Sequence, residues 1–124
     1  MSLLLDSNSL VWWLAETRLP DELLERLEYE RPLLISLITP WELWVKAAAG
    51  RLVLPLDFED GLTGEDRLTI LAPTLDDARL AANLPMLHRD PFDRMIIAQA
   101  INGNLTVVTN DRRFRDYGCD VILV

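Results

Sequence analysis

Four carboxylates occur where a metal site could form in the folded chain. They are Asp6, Glu42, Asp93 and Asp111. Clustered carboxylates repel one another unless they are protonated or neutralised by a cation. Oxygen ligands with no accompanying cysteine or histidine suit Mg²⁺ or Mn²⁺ better than Zn²⁺. The chemistry that such a site supports is metal-assisted, because a bound cation polarises oxygen atoms and lowers the pKa of water.

Each acid also has a purely structural interpretation. Glu42 could complete a helix capping box with Thr39, and Asp93 could belong to a similar box at its own helix start. Asp6 could cap the first helix, and Asp111 could be a turn residue. A metal site therefore requires that the fold bring all four side chains to one place.

Alternating strands and helices are predicted to position these acids. Apolar and β-branched runs predict strands at residues 3–5, 33–37, 68–71, 105–108 and 121–124. Helical spacing, capping residues and helix breakers predict helices at residues 10–14, from 20 onward, and at 39–50, 74–84 and 90–102. Residues 55–64 are turn-rich and are assigned neither structure.

This pattern predicts an α/β fold in a single domain over residues 1–124, with a mostly parallel central sheet and helices on both faces. Ligands of such sheets collect at the carboxyl ends of the strands. Asp6, Glu42 and Asp111 each follow a predicted strand. Asp93 instead precedes one, so it reaches that edge only if its helix begins there.

The net charge of −8 and the pI of about 4.5 lack the basic footprint of most nucleic-acid-binding proteins. The single cysteine excludes an intrachain disulfide and fits a reducing cytoplasm. The sequence shows no signal peptide, and no apolar run is long enough to span a bilayer.

Four segments together resemble PIN-domain toxins of the VapC type. They follow the order of that family's motifs and cover residues 3–14, 41–46 with 50–52, 88–94 with 97–100, and 105–114. The family opening often has threonine and histidine where this chain has Ser7 and Asn8. Neither position supplies an acid, so we expect altered substrate or partner contacts rather than loss of activity.

The resemblance implies a cytoplasmic ribonuclease toxin that is paired with an antitoxin protein and forms a homodimer. Asp6, Glu42, Asp93 and Asp111 would then be the catalytic metal ligands, and Thr109 would orient a water beside them. RNA would be hydrolysed with the assistance of Mg²⁺ or Mn²⁺. Bound cations would also cancel the local charge that otherwise repels phosphate.

Several other side chains near the acids have two open interpretations. His88, the one histidine, is favoured as a structural hydrogen-bonding residue over a general base. Lys46 could pair with Glu42 one turn away or lie on the surface. Five arginines could hold an RNA backbone or be ordinary solvated charges: Arg89, Arg94, Arg112, Arg113 and Arg115.

The four tryptophans are expected mainly in the core, as large aromatic residues usually are. Trp12 and Trp13 are adjacent on a helix that is apolar all round, so they cannot face the same way. Trp41 and Trp44 share a face of another helix. In a small domain, so apolar a first helix suggests contact with another chain, and one of its tryptophans could anchor an antitoxin.

The main alternative is a receiver-like signalling domain with an acidic Mg²⁺ pocket. Against it, the first predicted strand has no adjacent acidic pair and no lysine follows a late strand. Asn8 also breaks the Asp-x-Asp pattern of a phosphotransferase. A catalytically inactive binding module is a third possibility, which retention of all four acids disfavours.

Overall fold

A five-stranded parallel sheet forms the centre of the protein, which is described by a computed structural model over residues 2–30, 32–64 and 68–124. Its strands lie in the order β3-β2-β1-β4-β5. Their bounds are β1 Leu3–Leu5, β2 Leu33–Ser36, β3 Leu68–Leu71, β4 Thr106–Thr109 and β5 Asp120–Leu123. The predicted strands are therefore confirmed to within about one residue at each end.

Six α-helices and one 3-10 helix connect the described strands. They are α1 Ser7–Leu14, α2 Asp21–Tyr29, α3 Ile38–Ala48, α4 Phe58–Thr63, α5 Leu75–Asn83 and α6 Pro91–Gly103, with the 3-10 helix at Arg112–Tyr117. Helix α4 lies in the stretch that the sequence left unassigned. None of the helices within these described residues is long and apolar enough to cross a bilayer.

The sheet is covered on both faces, as predicted. Leu3 and Leu5 join one core cluster, which includes Leu10 of α1 and Leu27 of α2. Leu4 joins a second cluster, to which α6 contributes side chains. Successive residues of a strand point to opposite faces, so a central strand buried on both sides is an uninterrupted apolar run.

The path of α6 brings Asp93 to the carboxyl edge of the sheet. The helix ends at Asn104, whose left-handed backbone (φ 52°) turns the chain directly into β4. Asparagine adopts this conformation more readily than most other residues. The C-terminus of α6 lies near the start of β4. This 13-residue helix is about 20 Å long, so its N-terminus reaches the other end of β4, where that strand finishes.

Candidate active site

Asp6 links the end of β1 to the end of β4. Its Oδ1 accepts the Ser9 backbone N–H at 2.9 Å, which caps α1, and its Oδ2 accepts the Thr109 hydroxyl at 2.5 Å. Burial raises the pKa of Asp6, and the charge of Glu42 adds to this rise. The hydrogen bonds from Thr109 and Ser9 oppose it without cancelling it. The Thr109 oxygen also accepts the backbone N–H of Asp111 at 3.0 Å. One hydroxyl therefore holds both the Asp6 carboxylate and the backbone of Asp111.

Glu42 is buried in the second turn of α3 and faces α1. Its Oε1 accepts the Ser7 hydroxyl at 2.6 Å, and its Oε2 accepts the Lys46 ammonium at 2.5 Å. The capping-box interpretation with Thr39 is wrong, because α3 begins one residue before Thr39, which lies buried inside the helix. The Glu42–Lys46 ion pair is observed, so this lysine belongs to the site.

Asp93 lies in the first turn of α6, with 19% of its side chain exposed. Burial raises the pKa of Asp93 to about 7, and the charges of Asp90, Glu42, Asp6 and Asp111 contribute to the rise. At pH 7 about half of the Asp93 side chains therefore carry a proton. Asp90, three residues earlier, caps the helix, but its backbone N–H bonds to His88 and does not complete a capping box with Asp93.

Asp111 is both a helix cap and a charged partner. Its Oδ1 accepts the backbone N–H of Arg113 at 2.9 Å, and its Oδ2 lies 2.8 Å from the guanidinium of the same residue. Partial burial raises the pKa of Asp111, but hydrogen bonds from Arg113 and His88 and the Arg113 charge outweigh it, so the net shift is downward. Asp111 is therefore ionised across the neutral pH range, in which Asp93 titrates.

All four predicted acids line one cleft of about 190 Å³ at the carboxyl ends of β1, β2 and β4. We call this the acidic cleft, and its lining residues are Asp6, Ser7, Asn8, Glu42, Lys46, Asp90, Asp93, Asn110, Asp111 and Arg113. Asp90 was not among the predicted site residues. Its position three residues before Asp93, at the same helix start, is the sequence signal that places it there.

The chemistry of this lining fits a divalent cation. Among the described residues that line the cleft, five carboxylates face two cationic side chains, Lys46 and Arg113. The pKa of Asp93 is raised first by burial and then by the charges of these neighbouring acids. His88 Nε2 lies close enough to Asp93 and Asp111 to suggest a histidine ligand beside the carboxylates. However, His88 Nδ1 accepts a backbone N–H at 3.2 Å, so Nε2 carries the ring proton and cannot coordinate. The ligands of a cation would therefore be carboxylate oxygens.

The sequence matches the PIN domain family over residues 3–118. The chain belongs to the PIN-domain family. It is 33% identical over 121 residues to Ribonuclease VapC22 of Mycobacterium tuberculosis, an alignment covering 94% of this chain and 92% of that protein.

Solved structures with the same fold include VapBC2 from Rickettsia felis bound to a promoter DNA fragment. Its TM-score is 0.73 at 22% identity, and the match covers 99% of this chain and 98% of that one. DNA-bound VapBC from Salmonella typhimurium gives a TM-score of 0.71 at 24% identity, covering 98% and 97% of the two chains. At these identities the similarity establishes the fold, in agreement with the predicted parallel sheet.

The arginines of this PIN domain do not have a common role. Arg94 is buried, and its guanidinium donates to backbone carbonyls, so the idea that it holds RNA is wrong. Arg113 pairs with Asp111 at the rim of the acidic cleft. Three others are exposed and remain candidates for phosphate contacts: Arg89, Arg112 and Arg115.

The tryptophans also depart from the expected distribution. Trp13 is 8% exposed and belongs to the core, whereas Trp12 is only partly buried and lies under the Arg18 guanidinium. Trp41 and Trp44 are 55% and 45% exposed, so the expectation of a core position is wrong for both. The larger apolar surface of the PIN domain is therefore on α3 rather than on α1.

We expect the metal-free PIN domain to lose stability as the pH rises from about 4 to about 7. The pKa of Asp93 is about 7 in the folded chain against 3.8 as its ordinary value, so the folded state binds this proton more tightly. The resulting stabilisation is complete below pH 3.8 and is lost as the pH passes the folded pKa. A shift of this size corresponds to on the order of 4 kcal/mol.

Urea unfolding with a chelator between pH 4 and pH 8 measures this effect against the variant Asp93→Asn. Other acids titrate in both proteins, so the difference between the two curves isolates Asp93. The variant should gain stability relative to the wild type as the pH rises. Parallel curves across the whole range would contradict the prediction.

Proposed function

We propose that this PIN-domain protein is a cytoplasmic, metal-dependent endoribonuclease and the toxin of a toxin–antitoxin pair. The observation that carries the proposal is the convergence of Asp6, Glu42, Asp93 and Asp111 on one cleft. A relative that is 33% identical to this chain is named a ribonuclease, and the structural neighbours of the chain include VapBC assemblies. We propose these four carboxylates as the ligands of Mg²⁺ or Mn²⁺.

When bound, the cation supplies Lewis acidity toward the phosphodiester and the attacking water. The side chains of the cleft place the reactants. Thr109 holds the Asp6 carboxylate while Lys46 and Ser7 hold Glu42, so these two acids cannot rotate freely. A carboxylate of the cleft accepts the proton of the attacking water. Thr109 supports this role through Asp6, because its buried hydroxyl fixes the carboxylate beside which a water would be oriented.

Binding of RNA to so acidic a surface has to depend on the cation. Without it, the carboxylates of the acidic cleft repel phosphate, and Lys46 and Arg113 are already paired with acids. With it, the local charge approaches neutrality and the exposed Arg89, Arg112 and Arg115 can contact the RNA backbone.

The test is an RNA cleavage assay with Mg²⁺, with Mn²⁺ and with a chelator, followed by mapping of the cut sites. We expect discrete internal cuts that require a cation. Intact-mass measurement after treatment with a small-molecule phosphodonor tests the receiver-like alternative, which predicts an acyl phosphate on Asp6. Either that phosphate, or a lack of cleavage with both metals, would overturn the proposed function.

The proposed antitoxin is a small protein encoded next to this one, with a basic segment that folds on the toxin. An arginine of that segment would enter the acidic cleft and occupy the place of the cation or the RNA backbone. Trp12 is the outward-facing tryptophan of α1, because Trp13 is in the core. Trp12 is therefore the proposed apolar anchor of the antitoxin.

We expect Trp12→Ala to weaken antitoxin binding by roughly 2 kcal/mol or more while leaving RNA cleavage unchanged, since a partly exposed aromatic ring is a typical hot spot. Calorimetric titration of the neighbouring protein into both toxins measures the change. Tyr29→Ala on α2 is the matched control, because that ring is 82% exposed and lies on a different helix. Equal affinities for wild type and Trp12→Ala would exclude this part of α1 from the interface.

The homodimer implied by the family resemblance would need an apolar surface other than the one proposed for the antitoxin on α1. We propose the exposed face of α3, which presents Trp41, Trp44 and Val45 beside Leu37. Sedimentation of the wild type and of Trp44→Glu tests this surface. A monomeric wild type, or a variant that still dimerises fully, would contradict it.

A further inference from the structure

His88 is held by its surroundings in a single orientation. Its side chain is only 3% exposed. Its backbone N–H donates to the Tyr117 hydroxyl at 2.6 Å, and its carbonyl accepts the Arg94 guanidinium at 3.1 Å. The ring makes a T-shaped contact with Phe114, with centroids 6.1 Å apart. Such packing leaves the imidazole little freedom to rotate or flip.

The hydrogen bonds of the ring define its tautomer. The backbone N–H of Asp90 donates to His88 Nδ1 at 3.2 Å, so Nδ1 carries no proton. The imidazole is therefore neutral, with its proton on Nε2. That nitrogen lies 2.9 Å from Asp93 Oδ2 and 3.0 Å from Asp111 Oδ2. One N–H group thus faces two carboxylates from different elements of the fold.

We propose that His88 is a positioning residue, whose Nε2–H bridges Asp93 and Asp111 and holds them at the spacing that a divalent cation requires. This inference rests on the proposed function for the role of the two acids. The positive end of the N–H dipole lies between the carboxylates and offsets their repulsion before a cation binds. Without it, the start of α6 and the loop after β4 would be pushed apart by like charges.

The first test is the tautomer itself, and the sequence makes it unambiguous because His88 is the one histidine. A tag-free protein labelled with ¹⁵N-histidine, studied by NMR at pH 7.5 in chelator, should show a single neutral ring protonated at Nε2. Addition of Mg²⁺ should shift the Nε2–H resonance without moving the proton. A ring protonated at Nδ1, or an averaged mixture of tautomers, would overturn the proposal.

The second test uses two substitutions that each keep one half of the imidazole. His88→Gln retains an N–H donor near the Nε2 position, whereas His88→Asn retains an acceptor near Nδ1 for the Asp90 N–H. Calorimetric titration with Mn²⁺ gives the affinity of each protein. We expect His88→Gln to stay within about threefold of the wild type and His88→Asn to bind about 10- to 100-fold more weakly, as for other residues that orient metal ligands.

The opposite order of affinities would mean that His88 serves the loop before α6 and not the carboxylates, which overturns the proposal. Equal affinities of the two variants would overturn it as well. If neither variant folds, the wild-type tautomer and its response to Mg²⁺ still decide. A wild type that binds Mn²⁺ but cuts no RNA would defeat the proposed function alone, so the two failures are distinguishable.

Discussion

Asp93→Asn is expected to reduce metal-dependent RNA cleavage on the order of a thousandfold or more, with the fold unchanged. Asparagine keeps the size of the side chain but removes a charged oxygen ligand from the centre of the acidic cleft. Asp93 lines the cleft with four other acids, and its pKa is raised by burial and then by their charges. A cation bound by the group should depend on it more than on a peripheral acid.

Initial rates on a mapped RNA substrate, at saturating Mg²⁺ or Mn²⁺, give the size of the loss. Circular dichroism checks the fold, and Asp6→Asn should behave in the same way. Asp116→Asn is the matched control, because that exposed acid lies on the 3-10 helix away from the cleft lining and should leave the rate unchanged. Full activity of Asp93→Asn would remove this residue from the site.

The sheet could be predicted because its strands are unusually apolar. A run such as 3–5 is buried on both faces and ends abruptly at Asp6, which fixes both the strand and the side of the sheet on which the acid emerges. Asp111 follows β4 in the same way. Parallel strands align their carboxyl ends, so the meeting of these acids follows from topology rather than from any contact visible in the sequence.

Other features depend on packing that sequence spacing does not encode. Thr39 followed by Pro40 resembles a helix start, yet α3 begins at Ile38 and Thr39 is buried within it. Trp41 and Trp44 look like core residues. Each contacts one aromatic ring of a neighbouring helix, Phe92 of α6 and Phe58 of α4 respectively, yet the two indoles stay about half exposed. In each case the local pattern was compatible with two environments, and tertiary packing selected the one that the pattern did not favour.

The role of Arg94 also depends on tertiary packing and could not be predicted from the sequence. An arginine beside a catalytic acid suggests phosphate binding, and nothing in the sequence indicates that this side chain turns inward. The guanidinium lies over the C-terminus of α5 and the loop that follows it. Its acceptors are the carbonyls of Ala81, Leu84, Pro85 and His88. The cation thus satisfies carbonyls left free at a helix end and is stabilised by the negative end of the helix dipole.

Arg94→Met is therefore expected to lower the free energy of unfolding by about 3 kcal/mol or more. Methionine keeps much of the aliphatic volume but leaves several buried carbonyls without a donor. Arg94→Lys should recover part of the loss, because an ammonium keeps the charge but cannot reach all the carbonyls that the planar guanidinium spans. Urea unfolding at pH 7 in chelator measures both variants.

Arg112→Met is the matched control, since Arg112 is exposed on the 3-10 helix and its replacement should change stability by less than about 0.5 kcal/mol. Loss of Arg94 should also affect the acidic cleft. Arg94 holds the carbonyl of His88, whose ring faces Asp93 and Asp111, so the surviving folded fraction of Arg94→Met should also bind Mn²⁺ more weakly. An unfolding curve that superimposes on that of the wild type would show that these carbonyls find other donors, and that the loop before α6 is held without Arg94.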